Sequence, residues 1–138
     1  MNYRLIALAV STCLLLAFIG FNFPFAKSMA NSKKESLVND VKSLDVVFKD
    51  SGDAIITATG SVPSGGWSDP RLIKRPDNTK KANIEFDFLA TQPPAGVAVT
   101  RGFEDVEASI TVPRSQLAGK TKIQVYALRN NMETSLTN

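Results

Sequence analysis

Two stretches of this 138-residue chain concentrate side chains able to act on a ligand. The first is Gly60-Ser-Val-Pro-Ser-Gly-Gly-Trp-Ser-Asp-Pro70, which holds three of the eight glycines, two of the seven prolines and the single tryptophan. Pro63 restrains φ, Gly65 and Gly66 admit φ above zero, and Trp67 offers a broad apolar face with one N–H donor. That set suits a preformed recognition loop, with Trp67 stacking on a sugar, an apolar peptide side chain or a partner surface. The competing expectation is that Trp67 folds inward and plugs one end of a β domain while the glycines let the chain pass closely over it. The second stretch gathers Arg71, Lys74, Arg75, Lys80 and Lys81 around a Pro76-Asp77-Asn78 turn. It suits an anionic ligand, or else a solvated loop whose lysines keep an exposed sheet edge from pairing.

Other chemistry finds fewer materials. The chain has no histidine, so the commonest general base near neutral pH and the commonest transition-metal ligand are both missing. Asp50 with Asp53, and Glu104, Asp105 and Glu107, are the acidic groupings, and each falls short of the roughly six to eight oxygens that calcium takes. Asp50-Ser-Gly-Asp53 reads more simply as an Asx-type turn. Ser115 with Lys120 or Lys122 is formally a Ser/Lys dyad, but residues this common need geometry before they mean catalysis. Gly65-Gly66 leads into Trp-Ser-Asp-Pro and no helix, so it is not a phosphate loop. No catalytic residue, metal site or cofactor is assigned, and the chain is read as a non-enzyme.

These side chains are to be held by a small all-β framework. From Leu44 onward the hydrophobic period is two, with turn residues recurring every ten or so positions. Leu44, Val46 and Phe48 form one strand of a hairpin and Ala54 to Thr59 the other, across Asp50 to Asp53. Arg71 to Lys74 is a weaker strand; Ile84, Phe86 and Phe88 alternate with Glu85 and Asp87. Pro93-Pro94-Ala95-Gly96 turns the chain, and Val97 with Val99, Val106 to Val112, and Ile123 to Ala127 complete about seven strands. The expected architecture is an antiparallel β-sandwich over 44–130, with 131–138 as a tail. Its expected core is Val46, Phe48, Ile56, Ile84, Phe86, Phe88, Val97, Val99, Ile110, Val112, Leu117, Ile123 and Val125. Residues 31–43 read as a linker or short helix, because Ser32-x-x-Glu35 matches a capping box and Leu37, Val38 and Val41 fall at helical spacing.

Ahead of this domain, Arg4 precedes the apolar run Leu5 to Ile19, and Ser28-Met29-Ala30 places small residues at −3 and −1. These are the parts of a secretory signal peptide over 1–30, cleaved near Ala30. The alternative is an uncleaved anchor over Leu5 to Ala26; a lipidated Cys13 fits poorly, since it lies at the start of the run. Cleavage removes the only cysteine, and taking Arg4 and Lys27 from the 16 basic residues leaves 14 against 13 acidic. A near-neutral surface does not favour nucleic-acid binding. With no disulfide and no glycosylation sequon, a bacterial periplasmic or secreted location is expected, with membrane attachment only through a retained leader.

The stretch Ile110-Thr-Val-Pro-Arg-Ser-Gln-Leu-Ala-Gly-Lys-Thr-Lys-Ile-Gln-Val-Tyr-Ala-Leu128 resembles the late strands of immunoglobulin-like sandwiches. The resemblance implies a strand ending in Pro113, a helical turn that drops Leu117 into the core, and a further strand from Ile123. The corner tyrosine of that family is absent, with Lys120 and Lys122 flanking Thr121 in its place. The block Gly60 to Pro70, written G-x-V-P-x-G-G-W-x-x-P, is similar to one in small, uncharacterised bacterial secreted proteins, which implies a compartment and no activity. The function expected is a non-catalytic binding module of the cell envelope, engaging a protein, peptide or glycan. Its contact residues would be Trp67, Pro63, Gly65 and Gly66, with Arg71, Lys74 and Arg75 beside them. A protease inhibitor presenting the Pro63-to-Pro70 loop is the alternative, and a small carboxylate or Ser/Lys hydrolase comes after it.

Overall fold

The computed structural model describes residues 33–77 and 80–137, so the leader and its cleavage site lie outside the described residues. The described chain is mostly β, with one short helical turn. Its elements are β1 Glu35–Leu37, β2 Asp40–Phe48, β3 Ala54–Ser64, β4 Ser68–Lys74, β5 Asn83–Thr91, β6 Arg101–Val112, α1 Arg114–Leu117, β7 Lys122–Tyr126 and β8 Asn131–Ser135. Alternation sets the faces: in β5, Ile84, Phe86 and Phe88 are fully buried while Glu85 and Asp87 point outward.

One sheet runs β2-β3-β6, antiparallel throughout, with Val46 opposite Ile56 and Ile56 opposite Ile110. The other is built on β5. One edge of β5 pairs with β4, while the other takes β1 at Leu89–Thr91 and β7 at Asn83–Asp87, and β8 follows β7. The β5–β7 pair is parallel, which corrects the all-antiparallel expectation. The reason is connectivity: β6 lies in the other sheet, so β7 returns in the same direction as β5. One apolar cluster draws on both sheets, with Ile56, Ala58 and Val62 from one and Leu72, Phe86, Phe88, Ile123 and Val125 from the other.

The chain changes sheets within a single residue step. Val38 N–H donates to Phe88 O (2.9 Å) and Asn39 N–H to Ser61 O (2.7 Å). This corrects the helix expected in 31–43, whose Ser32 lies outside the described residues. Val38 and Val41 are both buried, but their three-residue spacing comes from the bend between β1 and β2 and not from a helical turn. The 131–138 segment is likewise more than a tail, because β8 pairs with β7 and Met132 and Leu136 pack on the core.

Of the expected core, Ile56, Ile84, Phe86, Phe88, Val112, Ile123 and Val125 are buried, and Val46, Ile110 and Leu117 pack half-buried against them. Leu117 sits at the end of the helical turn α1. Three residues differ. Val97 and Val99 are exposed at 54% and 36% and belong to no strand, and Phe48 is half-buried at the mouth of a cleft. Pro93-Pro94 and Gly96 on one side, and Gly102 with φ +124° on the other, leave the Val97 segment too short and too bent to reach a ladder partner.

Candidate functional site

Most of the Gly60–Pro70 block is ladder and not loop. Gly60 to Ser64 complete β3, Ser68 to Pro70 begin β4, and only Gly65, Gly66 and Trp67 join the two sheets. The glycines answer to packing. A Cβ on Gly60 would fall 2.3 Å from Asp40 O and 2.9 Å from Phe88 Cε1, so only a bare backbone fits between β2 and β5. At the turn itself, Gly66 takes φ +80° and its open face receives Val99, whose Cγ1 would lie 2.8 Å from an added Cβ. Gly65 N–H donates to Thr100 O at 3.0 Å, which pins the segment after Pro94 over the turn.

Trp67 is half-buried and packs against the core cluster, with Nε1 donating to Ser64 Oγ at 3.3 Å. The indole therefore supports the turn from below. Pro63 is exposed within β3, so the Pro63-to-Pro70 stretch is strand on either side of a three-residue turn.

The basic residues that follow are internally matched. Arg71 pairs with Glu35 of β1, and this hydrogen bond raises the guanidinium pKa further. Lys74 Nζ reaches Asp77 at 2.7 Å and Gln116 at 3.2 Å, holding the Asp77 carboxyl below the usual carboxylate range. Both Nε and Nη2 of Arg75 donate to Asp87 Oδ1, and the guanidinium lies 3.8 Å above the centroid of the Tyr126 ring. Lys81 meets Glu85 at 3.0 Å, and Glu85 also accepts the Tyr126 hydroxyl, so its carboxyl too sits below the usual range. Partial burial, then Glu85, pushes the Tyr126 phenol up. Sequence spacing brings these cations together, and among the described residues Arg71, Lys74, Arg75 and Lys81 each face an acid.

The other sequence candidates separate. Glu104 accepts from Thr100 Oγ1 at 2.7 Å, Asp105 pairs with Lys42, and Asp53 Oδ1 accepts Arg114 N–H at 3.0 Å, a bond that lowers its pKa. Among the described residues no three such acidic side chains converge. Lys120 Nζ donates to Lys81 O (2.9 Å) and Lys122 pairs with Glu133 (2.9 Å), so neither amine meets Ser115.

What the fold does assemble is an apolar surface beside the Gly65–Trp67 turn. Val97 and Val99, exposed at 54% and 36%, lie in the connection that passes over that turn, and Phe103, exposed at 63%, follows near the start of β6. Among the described residues the backbone amides of Ala98, Val99 and Thr100 meet no hydrogen-bond acceptor. Next to it lies a cleft of about 560 Å³ whose walls include Gly66, Ser68, Thr91, Pro93, Pro94 and Lys34. Sequence reading placed Val97 and Val99 in the core and passed over Phe103. The signal available was the bracketing of 97–101 by Pro93-Pro94-Ala95-Gly96 and Gly102.

No family model, curated protein or solved structure matches this chain.

Proposed function

We propose that this protein is an exported, non-catalytic interaction module that receives an apolar segment of a protein partner on the Val97–Phe103 surface. The carrying observation is that three large apolar side chains close in the chain stand exposed, Val97 and Val99 in the connection between β5 and β6 and Phe103 near the start of β6. Apolar residues scattered singly over a surface need no explanation, whereas several held together mark a contact site. The open amides of Ala98, Val99 and Thr100 add donors of the kind an extended peptide uses when it joins a sheet edge. Trp67 has a supporting role in this reading, since it braces the turn from the core side.

Export rests on the leader pattern of residues 1–30, and a bacterial envelope on that pattern together with the likeness of the Gly60–Pro70 block to small secreted proteins. The sheet orders β2-β3-β6 and β4-β5-β7-β8 around one apolar cluster support a sandwich. The immunoglobulin-like label has the turn α1 with Leu117 in its favour and the parallel β5–β7 pair against it.

The test is retention of envelope proteins by the immobilised chain, with wild type compared against Val97→Ser and Phe103→Ser. A partner band held by wild type and lost from both variants, with melting unchanged, is expected. Equal retention by all three would refute the surface, and a band lost only together with stability would make these residues structural.

A further inference from the structure

Among the described residues β6 pairs with β3 alone, and no backbone hydrogen bond reaches its other side. An open edge is a template for further pairing, and the other edges of this fold are blunted. β1 and β8 are three and five residues long, and β4 carries Pro70 and an irregularity between Ser68 and Arg71. In β2 a register shift falls between Val41 and Ser43, and the Asn130 side chain occupies the Val41 backbone groups. From Glu104 to Val112, β6 has none of this: its register with β3 is unbroken over nine residues that include no proline and no lysine. A register shift precedes Glu104 and Pro113 follows Val112, so the open stretch is centred on Ala108.

A strand that meets its own copy antiparallel about a two-fold axis sets each residue against the one equally far beyond the axis, and the faces of the sheet stay matched. Centred on Asp105 or Glu107, such a pair opposes identical carboxylates, and centred on Val106 it opposes Asp105 to Glu107. Centred on Ser109, it leaves Glu104 and Asp105 outside the paired stretch. Centred on Ala108, it uses the whole stretch and opposes no like charges. Val106 then meets Ile110 twice on the core face, where both are half-buried beside the buried Ala108. On the outer face Glu107 meets Ser109 and Asp105 meets Thr111, each carboxylate opposite a hydroxyl donor. The two Glu107 side chains become diagonal neighbours, about 7–8 Å apart. Just past the ladder, Pro113 comes against Phe103, the aromatic member of the exposed surface.

We propose that this edge pairs with β6 of a second copy of the chain, antiparallel and centred on Ala108, joining the two β2-β3-β6 sheets into one of six strands. The pairing rests on the reading of Val97–Phe103 as a contact surface, and it makes the partner there the same chain.

The test is analytical ultracentrifugation of the protein purified from its producing cell, over a range of concentrations, with Ser109→Asp and Ser109→Lys beside wild type. A reversible monomer–dimer equilibrium is expected. Each substitution acts twice across the axis by setting a charge opposite Glu107, so Ser109→Asp should weaken the dimer, and Ser109→Lys tighten it, by about tenfold. Both variants lose the same hydroxyl contact between Thr57 and Ser109, so that loss cannot produce opposite shifts. A monomer at every concentration, or a dimer that the two variants leave unchanged or shift in one direction, would overturn the proposal. If wild type is monomeric, a crosslink from position 103 to a different protein would keep the contact surface and reject only the second copy. Absence of any crosslink would reject both.

Discussion

Asn130 joins the two sheets at one point, and replacing it should cost more than its position in an exposed turn suggests. Its Oδ1 accepts Val41 N–H at 2.8 Å and its Nδ2 donates to Val41 O at 2.9 Å, so the side chain stands in for a strand partner. Val41 is 2% exposed, which leaves water little access to those backbone groups once the amide is gone. A stranded buried donor or acceptor costs about 1–3 kcal/mol, so Asn130→Ala should lose about 2–4 kcal/mol. The neighbouring bonds from Leu128 N–H to Val38 O and Arg129 N–H to Asn39 O keep the turn docked, so the loss should not include general undocking. Asn130→Asp separates the contributions, because it keeps an acceptor for Val41 N–H but turns a carboxylate oxygen toward Val41 O. It should lose about as much as alanine. Urea unfolding followed by the fluorescence of Trp67, the only tryptophan, gives both numbers from one signal. At a slope of about 1.5 kcal/mol per molar urea, a loss of 3 kcal/mol moves the midpoint by about 2 M. A midpoint shift under about 0.3 M for Asn130→Ala would refute the reasoning, since it would mean that Val41 is satisfied without Asn130.

Further expectations follow from the same contacts. Gly60→Ala should lose more than about 3 kcal/mol or fail to fold, because its methyl group meets the Asp40 carbonyl and the Phe88 ring, and calorimetry would read the loss. Trp67→Ala should lose about 2 kcal/mol, and native Trp67 emission should be blue-shifted and partly shielded from acrylamide; full quenching with unchanged stability would return Trp67 to the contact surface. Asp53, Asp77 and Glu85 have carboxyl pKa values depressed by Arg114 N–H, Lys74 and Lys81 respectively. Each therefore adds stability that is present above the unfolded carboxylate pKa of about 4 and lost as pH falls through the lower folded value. The urea-midpoint gap between wild type and Asp53→Asn should shrink as pH is lowered through that window, and a constant gap would count against the Arg114 contact. N-terminal sequencing of the protein from its producing cell should begin at Asn31, and a retained Met1 would favour the anchor.

Much of the framework was legible because alternation over a buried face is a strong signal. Ile84, Phe86 and Phe88, and Ile123 with Val125, are core where the period of two places them, and the 44–49/54–59 hairpin forms with Val46 opposite Ile56. Errors arose where tertiary context overrides local pattern. The bend at Val38–Asn39 mimics helical spacing, and Val97-x-Val99 has strand residues but no strand to pair with. The short β8 lacks apolar alternation and holds by pairing with β7. For the site, sequence found the turn at Gly65–Trp67 but could not tell which face of the indole meets the core. Nor could it see that Arg71 meets Glu35 and Arg75 meets Asp87, partners fixed by strand pairing, whereas Lys74–Asp77 and Lys81–Glu85 lie only three and four residues apart.

The most direct test of the interaction surface is photo-crosslinking in the producing cell, with a photoreactive residue placed singly at positions 97, 103 and 47. Val47 is the internal control, exposed at 61% on β2 and outside the Val97–Phe103 segment. The account predicts one discrete adduct of the same mass from positions 97 and 103 and none from 47. Adducts of equal yield from all three positions, or none from 97 and 103, would contradict it.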